Sequence, residues 1–574
     1  MGTVDIQLVI SLCTLFESLF TASNGVNMNS PQSELCALLD KLFFFSYIWS
    51  VGAPCSSTYW ESFNENTREI FEETCPGLGL PGVGTAFDFY VDIKEGRFRE
   101  WNEIVPTFQY DETLPYFSLM VPTTDTCRFS YIMKSLISVD KPCFITGVTG
   151  TGKTVAVQSL LNSLQPLPVQ GGMGIVPVFM NFSAQTRSDV TQSTIESKLE
   201  KKRKTLFGAP SGRKVVIFVD DVNMPLVETY GAQAPIELLR LILDFRGFYD
   251  RDKLYWKELV DVMMFVGAAP PGGGRAVTTP RFTRHFNVLC VPAASDSALT
   301  LIFSSILSGF LQTKFDSEVV RLCGGVVAAT IEVYSKISEE LLPTPAKFHY
   351  TFNLRDISKV FQGMLMIHPR KCNNTETFTR LWVHECLRIF YDRLINEEDQ
   401  VWFQKLIVEL CNRYMKMPLS HEDLFAKPIV FADFSKPDAG TVNQSVSQSV
   451  ILLFQSCLFF FTNIFPFNFI LLYFVSYYLV HISPSILLFS HLVSHSFFLS
   501  PPLSSSLLNF FSSLLDPKFY EEVKDLPKLT GVLNDILDNY NMIFPTQMNL
   551  VFFVDALSHA VRISRILRQP RGKD

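Results

Sequence analysis

The chain has no Cys-x-x-Cys pair, and its nine histidines are not grouped at ligand spacing, so the common structural zinc sites are excluded. Its twelve cysteines stand singly in apolar runs, as at Cys143, Cys290, Cys323, Cys386 and Cys457, and are expected to be reduced core thiols. Neither sign of charge is in large excess: 49 Lys+Arg face 56 Asp+Glu, a formal net charge of −7, which gives no surface for a polynucleotide. The opening MGTVDIQLVISLCTLFESLF lacks the basic start and small-residue cleavage site of a secretory signal. Ile6 spoils a myristoylation pattern. The sequons at Asn181 and Asn373 matter only in a secreted chain and are read as chance matches.

Charge is missing altogether from one stretch. Between Ala439 and Leu515 there is no Asp, Glu, Lys or Arg, and the composition collapses onto Phe, Leu, Ser, Ile and Val. Within it, 450–480 is long and apolar enough to span a bilayer. Pro466, Asn463 and Asn468 fall at mid-depth, however, and no flanking Lys or Arg sets an orientation. Phe, Ser, Leu and Pro are the residues of pyrimidine-only codons, and SHSFFLSPPLSSSLLNFFSSLL is nearly a pure translation of such a tract. The segment is therefore read as translated non-coding sequence, such as a retained intron, with a membrane span as the alternative.

The remaining sequence is ordinary globular chain, and at 574 residues the length favours roughly three or four domain-sized units. Its chemistry concentrates in two places. KPCFIT reads as a short strand, GVTGTGKT (Gly147–Thr154) follows it, and TVAVQSLLNSL has helical spacing, which is the strand, loop, helix order of a phosphate-binding loop. Gly147, Gly150 and Gly152 let the backbone of Val148, Thr149 and Thr151 curl so that N–H groups point at phosphates, Lys153 reaches the β and γ oxygens, and Thr154 supplies a hydroxyl to magnesium. ATP or ADP with Mg²⁺ is the expected ligand. The second place is KVVIFVDDVNMP, a continuous apolar run of the kind found in a central parallel strand, ending in Asp220 and Asp221. Asp220 is expected to hold magnesium together with Thr154. Asp221 is placed to orient or deprotonate a water, but it is one methylene shorter than the Glu usual in efficient ATPases.

With these motifs in hand, the sequence resembles the AAA+ modules of dynein heavy chains, most closely the third of six in axonemal members. The resemblance is carried by FSYIWSVG (Phe45–Gly52), RFREWNEIVPTFQY (Arg97–Tyr110), VPTTDTCRFSYIM (Val121–Met133), VNMPLVETYGAQAPIELLRLILDFRGFYDR, APPGGGRAVTTPRFTRHFN, TPAKFHYTFNLRDISKVFQGML and LWVHECLRIFYDRLI. MNLVFFVDALSHAVRISRILRQPRG (Met548–Gly572) looks like the lead-in to a fourth module, so the resemblance covers about residues 10–438 and 516–574. It implies an adenine pocket at Val121, Pro122, Thr123 and Thr126, a phosphate-facing Arg355 from a helical lid, and arginine fingers at Arg281 and Arg284 directed at a neighbouring module. The strand ELVDVMMFVGAAPP ends in Ala268 and Ala269, where many AAA+ ATPases carry a polar sensor of the γ-phosphate. With Asp221, this points to nucleotide binding with slow, regulatory hydrolysis.

The expected fold class is α/β: a P-loop AAA+ module with a parallel sheet flanked by helices, a helical lid subdomain and a partial second module. The expected division is a tail of a preceding module or a linker at 1–33, an N-terminal extension at 34–116, the nucleotide-binding subdomain at 117–300 and the lid at 301–438. The insert follows at 439–515 and the opening of the next module at 516–574. The resemblance further implies a minus-end-directed microtubule motor of the ciliary or flagellar axoneme, a cytoplasmic and cytoskeletal location, and the other ring modules with dynein intermediate and light chains as partners. The swinging linker, stalk and microtubule-binding tip are not in this sequence, so microtubules are reached only through parts absent here. Neither nucleic acid nor membrane is an expected partner, although a membrane-anchored AAA+ ATPase using 450–480 is the alternative reading.

Overall fold

The computed structural model describes residues 4–21, 24–165, 174–372, 374–433, 519–543 and 547–569. It falls into two compact units, residues 1–309 with 352–357 and residues 310–351 with 358–574. The uncharged insert at 439–515, its apolar stretch at 450–480 and the sequon at Asn373 lie outside the described residues.

The first unit is built on five parallel strands: β1 (Cys143–Thr146), β2 (Gly174–Asn181), β3 (Arg213–Asp220), β4 (Val262–Ala268) and β5 (Asn287–Cys290). Their spatial order is β5-β1-β4-β3-β2. The central strands read as unbroken apolar runs because helices cover both faces. Alternation along β3 sends Val216 and Phe218 to one side and Val215, Ile217 and Val219 to the other. On the first side lie α1 (Thr124–Ser138) and α2 (Lys153–Ser163), contributing Ile132, Met133, Leu136, Val157 and Leu161. On the second lies α3 (Ala234–Phe245), with Ile236, Leu239 and Ile242. The register pairs Ala268 with Thr146 and Asn181 with Asp220, which brings the carboxyl ends of β1 to β4 to one edge, where folds of this kind hold ligands.

The aromatic motifs near the N-terminus turn out to be one core. Trp49 lies edge-on to Trp101, Phe87 and Phe129 at centroid distances of 6.5, 5.5 and 5.8 Å. The Trp101 indole donates to the Phe87 carbonyl at 3.0 Å. Arg128 covers the Trp60 ring at 4.8 Å and pairs with Asp125, so its buried charge is met on both sides. Among the described residues one helical stretch, Gln32–Gly52, is long and apolar enough to cross a membrane, and half of it is buried in this core. A second, four-stranded sheet of Glu200–Lys201, Leu206–Gly208, Gly247–Tyr249 and Trp256–Val260 leaves no periodic trace in the sequence, because its strands are only two to five residues long.

At the end of the first unit α4 (Leu354–Met364) begins, capped by Asn353. The second unit contains the long helices Cys323–Glu340, α5 (Thr375–Ile389) and Glu397–Tyr414, which match the expected helical lid. Beside them are Leu526–Ile543 and α6 (Val554–Arg568). A fully buried Glu385 on α5 accepts from Tyr520 at 2.9 Å and from Arg565 Nε at 3.0 Å.

Candidate functional site

The loop between β1 and α2 is shaped by one close approach. Gly147 has φ +152°, and a Cβ there would stand 2.5 Å from the Val291 carbonyl oxygen, so only glycine lets the loop leave the sheet at this point. Gly152, at φ +80°, then starts α2 in the left-handed region. Lys153 is 9% exposed. Its ammonium donates to the carbonyls of Gly147 at 2.9 Å and Val148 at 2.7 Å, and to the Thr151 hydroxyl at 3.4 Å. Burial holds its pKa below the ordinary lysine value; Asp220 and Asp221 oppose that shift and Arg275 and Arg355 add to it.

Beside the lysine, the Thr154 hydroxyl donates to Asp220 Oδ2, and Asp220 Oδ1 accepts from the Asp221 N–H at 3.0 Å. The carboxylate packs against Gly267 of β4, where an added Cβ would be 2.8 Å from Oδ1. Asp221 itself sits at φ +50°, a conformation that Asp tolerates better than most residues. Its carboxylate lies 3.7 Å from Arg275 Nε. Lys153 on its loop and the Thr154–Asp220 pair therefore stand together at the carboxyl edge of the sheet.

The other expected residues fall into three groups. Thr123 and Thr126 form a capping box at the start of α1, with Thr126 N–H to Thr123 Oγ1 at 3.2 Å and Thr123 N–H to Thr126 Oγ1 at 2.8 Å. This leaves the buried Val121 and the adjacent Pro122 as the apolar part of that segment. Arg355 is exposed at the start of α4, and the backbone just before it reaches the loop, since a Cβ on Gly150 would be 3.6 Å from the Leu354 nitrogen. Arg281 is exposed, whereas Arg284 is tied to Asp244 at 3.0 Å, a carboxylate that also accepts from Arg240 at 2.7 Å. Ala268 and Ala269 are both buried at the end of β4.

Two residues without an assigned role in the sequence reading belong to this edge. Arg275 faces Asp221, and Asn223 donates to the carbonyls of Ala269 at 2.9 Å and Ala276 at 3.3 Å. Asn223 is fully buried and its Oδ1 has no hydrogen-bond partner among the described residues. The run PGGGR was the available signal for Arg275, since three glycines before an arginine mark a loop that must approach something closely.

The residues present fit a magnesium nucleotide: a glycine-cradled loop at a helix N-terminus, a buried ammonium held by exchangeable carbonyl partners, and a hydroxyl–carboxylate pair beside it. Comparison with known proteins agrees with that geometry. Residues 108–294 match the family described as P-loop containing dynein motor region, residues 1–103 the dynein heavy chain AAA lid domain, and residues 326–420 the AAA+ lid domain. Human dynein axonemal heavy chain 6 is 40% identical over 569 residues, covering 99% of this chain and 12% of that protein. Mouse dynein axonemal heavy chain 1 is 36% identical, covering 94% of this chain and 11% of its own length, and human dynein axonemal heavy chain 2 is 31% identical, covering 98% and 11%. The chain thus spans about one eighth of the length of the first of these relatives. With dynein-type sequence along nearly its whole extent and a P-loop region of the dynein kind at its centre, the chain belongs to the dynein heavy chain family.

Proposed function

We propose that this chain is the third AAA+ module of an axonemal dynein heavy chain with the opening of the fourth, and that Gly147–Thr154 with Asp220 hold ATP or ADP with Mg²⁺ as a regulatory ligand. The observation that carries the reading is the state of Lys153 and Thr154. The ammonium is parked on loop carbonyls and the hydroxyl on Asp220, so each has a partner to exchange for phosphate oxygen or for metal. Magnesium, when bound, neutralises charge on the phosphate oxygens. Val121 and Pro122 offer the apolar surface for the base, and Arg355 follows Leu354, whose backbone lies beside the loop at Gly150.

Slow turnover follows from the same edge. Asp221 is short, backbone-constrained and ion-paired to Arg275, and Ala268 and Ala269 supply methyl groups where a γ-phosphate sensor would need a polar atom. In the full motor such a site would bias the ring between conformations, within a minus-end-directed microtubule motor of the axoneme that includes the remaining modules and intermediate and light chains.

The test is the affinity of the chain for a fluorescent ADP or ATP, compared with Lys153→Ala. Losing charge-assisted bonds of about 1.5–3 kcal/mol weakens binding roughly 10- to 150-fold. Equal affinities for the two proteins would remove the nucleotide reading of the loop.

A further inference from the structure

The four-stranded sheet of the first unit gathers charge at one of its ends. Strands Leu206–Gly208 and Trp256–Val260 run parallel, pairing Leu206 with Glu258 and Gly208 with Val260, and each is entered from a hairpin turn. Parallel pairing puts both turns, 202–205 and 250–255, at the same end of the sheet, and the Glu258 N–H donates to the Thr205 carbonyl at 2.8 Å between them. Lys201, Lys202, Arg203, Lys204, Arg251 and Lys253 are all exposed there, against the exposed acids Glu200, Asp252 and Glu258. Behind them the buried Lys257 is already answered by Asp250 at 2.7 Å and Glu196 at 3.1 Å. The side chains of Lys201, Arg203, Lys204 and Lys253 make no ion pair among the described residues. An excess of free cations thus stands on a chain whose net charge is −7.

Both turns are held in place. In the first, the N–H groups of Lys202 and Arg203 donate to the Leu206 carbonyl at 2.9 and 3.1 Å. In the second, the Asp250 carboxylate accepts from the N–H of Asp252 at 3.0 Å and of Lys253 at 2.7 Å, and Arg251 donates to Ser193 of the adjoining helix at 2.8 Å. The cations therefore stand on a fixed frame, which lowers the ordering cost of binding. Beside them Leu254 is 76% exposed. A bilayer or a nucleic acid presents negative charge over a wide face, and would meet Glu200, Asp252, Glu258 and the acidic remainder of the chain together with the turns. A short peptide responds only to charges within a Debye length of about 8 Å. It can set carboxylates between the resident acids and an apolar side chain on Leu254. We propose that the paired turns dock an acidic polypeptide segment, its carboxylates answering Lys201, Arg203, Lys204 and Lys253 and one apolar side chain resting on Leu254.

The experiment uses the full chain and the fluorescein-labelled peptide Gly-Glu-Glu-Glu-Leu-Glu-Glu-Glu-Gly, followed by fluorescence anisotropy. A peptide with glutamine in place of glutamate, a phosphatidylserine vesicle and a DNA duplex are measured beside it. Saturable binding of the glutamate peptide is expected, absent for the glutamine peptide and weakened several-fold between about 50 and 150 mM salt. Arg203→Glu and Lys253→Glu, one on each turn and both at exposed side chains that the fold does not use, each weaken binding at least threefold. Leu254→Ser weakens it at least twofold. Lys134→Glu, at an exposed position of α1 on the opposite face of the parallel sheet, changes it by less than twofold. No saturable peptide binding, equal binding of the glutamine peptide, or a loss confined to one turn would each overturn the proposal. Vesicle or duplex binding that falls with Arg203→Glu and Lys253→Glu while the peptide stays unbound would overturn it too, and assign the surface to that polyanion.

Discussion

Replacing Gly267 with alanine puts one methyl group where Asp220 now rests its carboxylate. The added Cβ would be 2.8 Å from Asp220 Oδ1, and ordinary contact begins at 3.4 Å, so the carboxylate must withdraw by roughly 0.6 Å. It cannot do so freely, because Oδ1 accepts from the Asp221 N–H at 3.0 Å and Oδ2 from the Thr154 hydroxyl. The next neighbours, Phe218 Cε2 and Cζ at 3.5 Å, are at normal distance, so the conflict is confined to the acid. Overpacking of this kind costs about 1–3 kcal/mol, offset by about 0.5 kcal/mol from the stiffer unfolded chain, leaving a net loss of about 0.5–2.5 kcal/mol. That corresponds to a few degrees in unfolding midpoint. Asp220 and Thr154 are the proposed metal residues, so the loss should fall mainly on magnesium-assisted binding. The gain in ADP affinity on adding Mg²⁺ should shrink by about tenfold, since displacements approaching 1 Å cost that much or more. Fluorescent ADP titrations with Mg²⁺ and with EDTA, beside a thermal scan, measure both quantities. A variant with the full magnesium gain would show that the Asp220 carboxylate does not serve the metal.

Three other perturbations probe titratable groups elsewhere. Glu385→Ala strands the buried Arg565 and Tyr520, and breaking such a pair costs about 3–5 kcal/mol; chemical denaturation should show a loss of that size, and a loss under 1 kcal/mol would mean water or rearrangement satisfies the site. His384 has its pKa held well below the ordinary 6.5 by burial first and neighbouring arginines second, so the unfolded chain takes up the proton more readily. Stability is therefore complete above about pH 6.5 and falls below it by up to about 1.4 kcal/mol per pH unit. His384→Gln should flatten that acid limb, and parallel curves would refute the assignment. Arg284→Ala removes an ion pair whose arginine is 53% exposed, so stability should change by less than about 1 kcal/mol and nucleotide affinity at this module's own loop should not change; a tenfold loss of affinity would show that Arg284 serves its own site.

What could be read from the sequence was what is local along it. The phosphate loop lies on eight consecutive residues, and β3 announces itself through five consecutive apolar positions, Val215–Val219, followed by Asp220, so strand, loop and acid were all legible. Arg275 was not, because its partner Asp221 is reached only after the chain has run through α3 and β4 and returned. The pairing of Arg284 with Asp244 spans 40 positions and leaves no periodic trace. The cationic end of the four-stranded sheet is equally silent: 201–204 is a run of cations like that of any solvated loop, and only folding sets it beside Arg251 and Lys253. The aromatic motifs were visible as resemblance, but their reason, a single edge-to-face cluster around Trp49, required the fold.

The contact at Gly147 has a mechanical reading. Its missing Cβ is what allows the base of the phosphate loop to lie against the Val291 carbonyl, and the Val291 N–H in turn donates to Thr146 at 2.8 Å. Val291 is where the chain leaves β5 on its way to the helix Asp296–Lys314. The loop and this exit are thus meshed like adjacent teeth, with no slack between them. A side chain at position 147 would force the phosphate loop and the exit from β5 apart, so one glycine sets how closely the two run.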